Sequence, residues 1–292
     1  GISTAFSARL TGTATVGPVW PGLTGVASGV FTVTPGAATV TRVETAPSGA
    51  GVVVPTQNIT AGQSITVHAV TRDAFGNFVA DVNATWTIIT ATGGVTTGVN
   101  LAPTSGSSFT VFTARQVGSG AIRANPGATP TAWIPSGTLT VVPGDATQLA
   151  LTASPTTFAA GSLQQLTITA LDAFTNTAVG YTGVKTLTFS GPLPSLLPVI
   201  TPTVVNHLGQ PIDFGQDTSI NFVAGVGEQV GDAGKVTLYR AQTTPINATD
   251  GSITTVPSGT LTVTVQPLAH NRLTLLGPTV FTAGVPVSLT VR

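Results

Sequence analysis

The chain has 292 residues, enough for two or three domains, and its ten acidic and ten basic residues give a formal net charge of zero. Zero net charge without a basic cluster excludes the electrostatic footprint of a nucleic-acid-binding protein. Although only 7% of the residues are charged, no apolar run reaches the roughly 18 residues of a transmembrane helix. We therefore expect no nucleic-acid partner and no transmembrane segment in this sequence.

A recurring phrase divides the chain. It begins with Ser-Gly, continues as an alternating segment and closes with Pro, and its copies start at Ser28, Ser136 and Ser258. Apolar residues alternate with Thr in these copies and in segments such as 65–70 and 166–171, which is the period of a strand with one buried face. The 34 Gly and 21 Pro residues break helices and mark turns. The sequence predicts an all-β chain of tandem immunoglobulin-like β-sandwiches in series.

The positions of these copies predict the domain boundaries. We expect residues 1–45 to hold the C-terminal strands of a preceding domain and a junction, and residues 46–143 to form one domain. Residues 144–266 should form a second domain with an inserted loop at 191–216. Residues 267–292 should hold the N-terminal strands of a following domain. The two partial domains are expected to be completed within a longer polypeptide, or alternatively by another chain.

A second phrase recurs inside each predicted domain. An Ala-Gly turn precedes an alternating strand and then Asp73-Ala74-Phe75-Gly76-Asn77 in the first copy, or Asp172-Ala173-Phe174-Thr175-Asn176 in the second. In this pairing the chain resembles the bacterial immunoglobulin-like domains of the intimin and invasin type, which also occur in surface-layer proteins and large adhesins. Thr175 departs from the Gly that is usual there. The resemblance implies β-sandwiches that project from a cell surface, and it implies no catalytic residue.

The acidic residues of these phrases have two interpretations. Asp73 and Asp172 can each begin a turn by accepting hydrogen bonds from backbone N–H groups two or three residues later. A calcium ion at the domain junctions is the alternative, because Asp145 lies at a junction, but no Asp-x-Asp cluster supplies the charge that Ca²⁺ needs. We expect turns, with no cofactor and no metal ligand.

Other carboxylates and the histidines are the remaining candidates for catalytic groups. The densest carboxylates are those of Asp213, Asp217, Glu228 and Asp232. Glycoside hydrolysis needs two carboxylates at a defined separation, which this spacing does not fix, so we expect solvated loop charges. The three histidines, among them His270, lack the spacing of a zinc site. The sequence therefore predicts no enzyme and no catalytic residue.

Several apolar side chains are candidates for contacts with a neighbouring molecule. The alternation around Trp86 places it in the core of its sandwich. Trp20 and Trp133 precede closing strands next to Pro and are expected to be exposed, and Leu196 and Leu197 in the insertion need covering. We interpret these last four residues as candidate intermolecular contacts.

Three sequons could accept an N-linked glycan. They begin at Asn58, Asn83 and Asn247. A count near three arises by chance in a chain rich in Ser and Thr, so the sequons are candidates only.

Together these features predict a structural protein of the extracellular cell surface. We expect it to associate with copies of itself and with the cell envelope, as a self-assembling envelope layer of the S-layer kind or as an extracellular filament. The stalk of a bacterial adhesin is the alternative. A third interpretation, from another class, is a set of accessory modules of a secreted polysaccharide-degrading enzyme.

Overall fold

The computed structural model describes residues 5–19, 21–127, 130–269, 275–280 and 282–291. Nearly all of the regular structure in these ranges is β, which confirms the predicted fold class. The chain divides into two compact units: unit 1 comprises Gly1–Ala146 with Leu171–Gly180, and unit 2 comprises Thr147–Ala170 with Tyr181–Arg292. Helix is limited, in the described ranges, to α1 (Thr97–Asn100) and one 3₁₀ turn (Pro257–Gly259). No helix among them is long and apolar enough to cross a membrane.

Unit 1 contains a two-stranded pair and two larger sheets. The antiparallel pair consists of β1 (Gly12–Ala14) and β2 (Phe31–Val33). One larger sheet has four strands, which run in spatial order β4 (Gln57–Thr60), β12 (Leu139–Val142), β10 (Gly118–Asn125) and β7 (Thr85–Gly93). The other has the order β11 (Ala132–Ile134), β3 (Val40–Glu44), β5 (Ser64–Arg72), β9 (Phe109–Thr113) and β8 (Leu101–Ala102), with β6 (Phe78–Asp81) beside β5.

The two larger sheets of unit 1 share one apolar core. Val67 on β5 and Phe112 on β9 come from one sheet, and Trp86 on β7, Ile122 on β10 and Leu139 on β12 come from the other. Trp86 is fully buried, and its indole N–H donates to the Ser107 carbonyl at 3.1 Å, so its one polar atom is satisfied. The period-two pattern correctly places Trp86 in the core of a β-sandwich.

The sheet of β3 begins before the expected domain boundary. β3 ends at Glu44, ahead of residue 46, and pairs in antiparallel register with β5. A buried ion pair reinforces this pairing, because Arg72 Nε and Nη2 donate to the two carboxylate oxygens of Glu44, each at 2.7 Å. The predicted domain boundaries stay predictions.

Unit 2 is one connected path of strands. Its spatial order is β14 (Thr157–Ala159), β23 (Leu261–Gln266), β22 (Gln242–Thr249), β16 (Gly183–Ser190), β19 (Asp217–Val223), β20 (Val226–Gly227), β15 (Leu163–Leu171), β21 (Lys235–Thr237), β17 (Thr203–Val205) and β18 (Pro211–Asp213), and β13 (Gln148–Ala153) pairs with β15. Alternate residues of the central strands are buried, among them Ile168, Leu187, Phe189, Ile220 and Phe222. A further pair, β24 (Leu275–Leu276) with β25 (Thr290–Val291), lies near the end of the sequence.

The expected inserted loop at residues 191–216 is not a loop throughout. It contains β17 and β18, which pair with each other, and β17 also pairs with β21. Val204 is fully buried and anchors this hairpin to the unit. The sequence gives no clear signal for these two strands, because each is only three residues long and a period of two cannot be recognised over so few residues.

Candidate functional site

Two loops of identical design are the most elaborate polar features of unit 1. We call residues 73–77 the first clamp loop and residues 172–176 the second clamp loop. In the first, Asp73 Oδ1 accepts the backbone N–H groups of Phe75 and Asn77, both at 2.9 Å. In the second, Asp172 Oδ1 accepts those of Phe174 and Asn176 at 2.8 and 2.9 Å. Both aspartates begin turns as predicted, and the N–H groups that they accept lie two and four residues later, where the sequence predicted two or three.

A residue with positive φ closes each turn. Gly76 has a φ of 86° and Thr175 a φ of 66°. Glycine adopts this region without cost, whereas a β-branched residue is strained there. The second clamp loop keeps its shape despite Thr175 because the Thr175 N–H still donates to the Asp172 carbonyl at 3.1 Å.

The asparagine of each clamp loop binds a distant stretch of backbone. Asn77 Nδ2 donates to the Arg9 carbonyl at 2.7 Å, and Asn77 Oδ1 accepts the Thr11 N–H at 3.1 Å. Asn176 does the same in the second clamp loop, donating to the Arg115 carbonyl at 2.8 Å and accepting the Val117 N–H at 2.9 Å. A carboxamide carries one acceptor and one donor side by side, so it pairs with a backbone segment as another peptide group would.

The aspartate of each clamp loop also binds a backbone N–H that follows a closing proline. Asp73 Oδ2 accepts the Gly36 N–H at 2.9 Å, and Asp172 Oδ2 accepts the Gly144 N–H at 2.9 Å. The same oxygen in each loop accepts a second bond, from the asparagine side-chain amide, at 2.8 Å. Each clamp loop therefore ties together its own turn, a junction glycine and a third segment of unit 1.

These bonds stabilise the ionised aspartates. The Asn77 side-chain bond, helped by three backbone N–H groups, lowers the pKa of Asp73 to about 2. Burial opposes ionisation of Asp172, but the bonds from Asn176, Gly144 and the turn outweigh it and hold its pKa below the ordinary value. Both carboxylates are thus charged at neutral pH and are stabilised by N–H dipoles.

Aromatic side chains accompany the polar contacts. The Arg9 guanidinium lies 5.8 Å from the Phe75 ring centroid, within cation–π range. The Phe174 ring lies over Gly62, where an added Cβ would approach it to 3.3 Å. Gln116 Nε2 donates to the Phe174 carbonyl at 2.9 Å, so the second clamp loop is held on both its polar and its apolar side.

The support behind the two clamp loops differs. Arg72, the residue before Asp73, donates through Nη1 to the Gly76 carbonyl at 2.9 Å while its other nitrogens hold Glu44. Leu171 occupies the corresponding place before Asp172, so the second clamp loop lacks this ion pair. The hydrogen bonds of the loops themselves are common to both.

The structure does not bring the remaining titratable candidates together. No group of three His, Cys, Asp or Glu side chains suited to a metal ion occurs in the described ranges. Asp232 pairs with Lys235 at 2.6 Å, Glu228 accepts a bond from Asn221, and Asp145 is exposed. Calcium binding at the junctions stays a prediction, and His270 lies outside the described residues.

The predicted contact residues differ in their surroundings. Trp133 is 43% exposed and has the Arg123 guanidinium 4.9 Å from its ring centroid. Leu196 and Leu197 are strongly exposed, and Trp20 lies outside the described residues. Their role in intermolecular contacts stays a prediction.

The sequons also differ. Asn58 and Asn83 are exposed. Asn247 is half-buried, and its Oδ1 accepts bonds from the hydroxyls of Thr255 and Thr260. Glycosylation at these three positions stays a prediction, and Asn58 and Asn83 are the more accessible of them.

The segments that the two asparagines bind, around Arg9 and Arg115, were not predicted from the sequence. Their signal is the pattern Ala-Arg-x-x-Gly, which occurs at residues 8–12 and again at 114–118. It lies just before β1 and β10, where Arg9 and Arg115 offer their carbonyls. The pattern is short and its contacts are made by backbone atoms, so residue type alone gives little indication of its role.

Comparison with known proteins places this geometry among immunoglobulin-like architectures. No protein-family model matches the sequence, and no curated protein matches it. Among solved structures the chain is similar to FdeC, an Escherichia coli adhesin, at 19% identity, covering 88% of this chain and 74% of that one with a TM-score of 0.34. It is also similar to the Yersinia pseudotuberculosis adhesin InvE, at 16% identity, with 71% and 56% covered and a TM-score of 0.26.

A β-glycosidase from Bacteroides vulgatus is similar as well, at 12% identity, with 79% of this chain and 25% of that one covered and a TM-score of 0.29. The structural neighbours thus include bacterial adhesins of the intimin and invasin immunoglobulin-like type, which is the type that the sequence resembles. Values of this size reflect a common β architecture and carry no function from one protein to another.

Proposed function

We propose that the chain is a non-catalytic spacer segment of a cell-surface protein, of the kind that forms the stalk of a bacterial adhesin. The single observation that carries the proposal is the pair of clamp loops. Each makes the same four contacts: with its own turn, with a junction glycine, and with a carbonyl and an N–H two residues apart. The same hydrogen bonds occur in both loops, and their partners outside the loops are backbone groups. We therefore interpret the loops as structural and not as catalytic.

The junctions between segments are the mechanically weakest places in a spacer. A spacer under tension or shear yields first where few contacts cross from one segment to the next. Pro35-Gly36 and Pro143-Gly144 are such places in the sequence, and the aspartates of the clamp loops bind the glycine N–H at both. The charge-assisted hydrogen bond from the glycine N–H to the aspartate must break before either junction can separate from its clamp loop.

The polar contacts of the clamp loops also bear on the alternative functions. The hydrogen bonds of the clamp loops described above have their partners in unit 1, so they support the architecture of the chain, as a spacer requires. The self-assembling envelope layer and the filament stay predictions, as does association with the cell envelope. Accessory modules of a secreted enzyme share the same mechanical need, so the sequence flanking these modules in the gene would distinguish them by the presence of a catalytic domain.

Force spectroscopy on the full chain tests the proposal. Pulling from both termini, we expect the Asp73→Ala, Asp172→Ala double variant to yield at lower force than the natural chain. Asp145→Ala, an exposed acidic change beside a junction, is the matched control and should leave the force unchanged. Equal yield forces for all three chains would remove the mechanical role.

Electron micrographs of the native cell surface test the stalk itself. We expect separate projections labelled by an antibody against the chain, and a concentration-independent monomer in sedimentation of the purified protein. An ordered sheet on the cell, or assembly of the purified chain, would replace the stalk with the envelope layer.

A further inference from the structure

Unit 2 presents the same backbone arrangement that receives the second clamp loop in unit 1. In unit 1, β4 runs parallel to β12, and the Gly62 N–H after it donates to the Ala114 carbonyl at 2.8 Å. In unit 2, β14 runs parallel to β23, and the Gly161 N–H donates to the Leu238 carbonyl at 2.8 Å. The two Ala-Gly turns therefore occupy equivalent places.

This equivalence identifies the groups that would bind a clamp loop. Counting from Ala114 and Leu238, the Arg115 carbonyl corresponds to that of Tyr239, and the Val117 N–H to that of Ala241. The junctions also correspond. The Ala61 N–H donates to the Val142 carbonyl at 2.9 Å, and the Ala160 N–H to the Gln266 carbonyl at 2.8 Å.

The third binding group follows from the junctions. Gly144 lies two residues after Val142, and Leu268 lies two residues after Gln266, so the Leu268 N–H corresponds to the one that Asp172 binds. Within the described ranges, the Tyr239 carbonyl and the N–H groups of Ala241 and Leu268 form no hydrogen bond. One acceptor and two donors thus stand in the arrangement that a clamp loop occupies in unit 1.

An apolar pocket accompanies these polar groups. It has a volume of about 230 Å³ and is lined by Ala160, Gly161, Ser195, Leu197, Pro198, Ile200, Tyr239 and Leu268. The space over Gly161 is open, whereas Phe174 fills the space over Gly62. Pockets for drug-sized ligands begin at about 300 Å³, so this one suits a single side chain.

Two apolar residues of the pocket wall are strongly exposed, which also favours an incoming side chain. Leu197 is 88% exposed and Leu268 is 65% exposed. An aromatic ring seated between them would cover apolar surface that the insertion otherwise leaves in water.

We propose that this surface of unit 2 binds a further loop of the Asp-Ala-Phe-x-Asn type, presented by an adjoining immunoglobulin-like repeat. The incoming asparagine donates to the Tyr239 carbonyl and accepts the Ala241 N–H, the incoming aspartate accepts the N–H after Pro267, and the incoming phenylalanine enters the pocket beside Leu197. The inference extends the clamp geometry and does not depend on whether the protein serves as a stalk.

An extended chain tests this site. A second copy of residues 145–268 is inserted between Leu268 and Ala269 of the full chain, so that Leu268 keeps its place in the pocket wall and a clamp loop follows the proposed site at the natural spacing. Amide hydrogen exchange measured by NMR reports the Ala241 N–H, and the Val117 N–H, which donates to Asn176, is the internal reference. We expect exchange of Ala241 to slow by at least about tenfold on insertion, to approach that of Val117.

Two variants separate docking from a general effect of the insertion. Asn176→Ala in the inserted copy alone should return Ala241 to its original rate and leave Val117 protected. A second insertion at the same place, of residues 37–143, supplies the first clamp loop and should protect Ala241 in the same way. Unchanged exchange of Ala241 with both insertions overturns the proposal, as does protection that survives Asn176→Ala in the inserted copy.

Discussion

Replacing Asn176 by alanine gives the sharpest test of the second clamp loop. Asn176 is 5% exposed and makes three hydrogen bonds through its side chain: to the Arg115 carbonyl at 2.8 Å, from the Val117 N–H at 2.9 Å, and to Asp172 Oδ2 at 2.8 Å. A neutral bond contributes about 0.5–1.5 kcal/mol net, and one to a charged group about 1.5–3 kcal/mol. We therefore expect the free energy of unfolding of unit 1 to fall by about 3–5 kcal/mol.

Tryptophan fluorescence during guanidinium unfolding measures this change. All three tryptophans of the sequence precede residue 147, so the signal reports unit 1. The matched control is Asn125→Ala, because Asn125 is exposed and its side chain accepts only the Gly127 N–H, at 3.0 Å. That change should cost about 0.5 kcal/mol or less. Equal midpoints for the two variants would refute the assignment of the loop as a stabilising contact.

Three further predictions concern the same region. The pKa of Asp73 is lowered to about 2 and the pKa of Asp172 lies below its ordinary value, so the stability that these aspartates contribute is present above the ordinary pKa near 4 and should be lost as the pH falls through the lowered values. Fluorescence-detected melting at acidic pH measures this loss. Glu44→Gln breaks a buried ion pair and should destabilise unit 1 by about 3–5 kcal/mol in the guanidinium assay. Gly62→Ala should lower the melting temperature in calorimetry more than Gly161→Ala, because both positions have positive φ but only Gly62 lies against an aromatic ring.

Each of these predictions has a control. A variant in which both clamp-loop aspartates are replaced by asparagine should lose the acid dependence, and an unchanged dependence would assign it to other carboxylates. Asp232→Asn breaks an ion pair whose carboxylate is 59% exposed, so it should cost about 1 kcal/mol or less. Because Asp232 lies in unit 2, where the sequence has no tryptophan, circular dichroism during guanidinium unfolding measures this variant. If Asp232→Asn lowers the free energy of unfolding as much as Glu44→Gln does, burial is not the cause of the Glu44→Gln effect. Equal effects of the two glycine changes would remove the contact at Gly62.

The period-two pattern predicted the architecture well for a physical reason. Strands such as β5 and β15 bury one face, so their apolar residues alternate with Thr, and that alternation is visible in the sequence. Glu44 shows where this reasoning fails. It is fully buried although it is charged, and it is accommodated only because Arg72, 28 residues later, supplies a bidentate partner. Pattern analysis gives no indication that a charged residue will be buried in this way.

The clamp loops were half predictable. An aspartate followed two and four residues later by suitable N–H groups is a local feature, so the turns at Asp73 and Asp172 could be inferred from the sequence. The partners of Asn77 and Asn176 could not, because they are backbone groups of Arg9, Thr11, Arg115 and Val117, and every residue except proline carries such groups. Only the fold determines which of them lie within reach.

The chemistry of the clamp loops explains why asparagine stands at positions 77 and 176. At each position the side chain must offer a donor and an acceptor at once to two backbone groups, and a second donor to the neighbouring aspartate. An aspartate there would offer only acceptors, and it would place a second negative charge beside the first and against a carbonyl oxygen. The residue directly before the asparagine has no such side-chain requirement. Its backbone adopts a positive φ, and it is Gly76 in one loop and Thr175 in the other. Each clamp loop therefore contains one buried carboxylate that is stabilised by oriented N–H groups, and through it the loop binds a junction glycine.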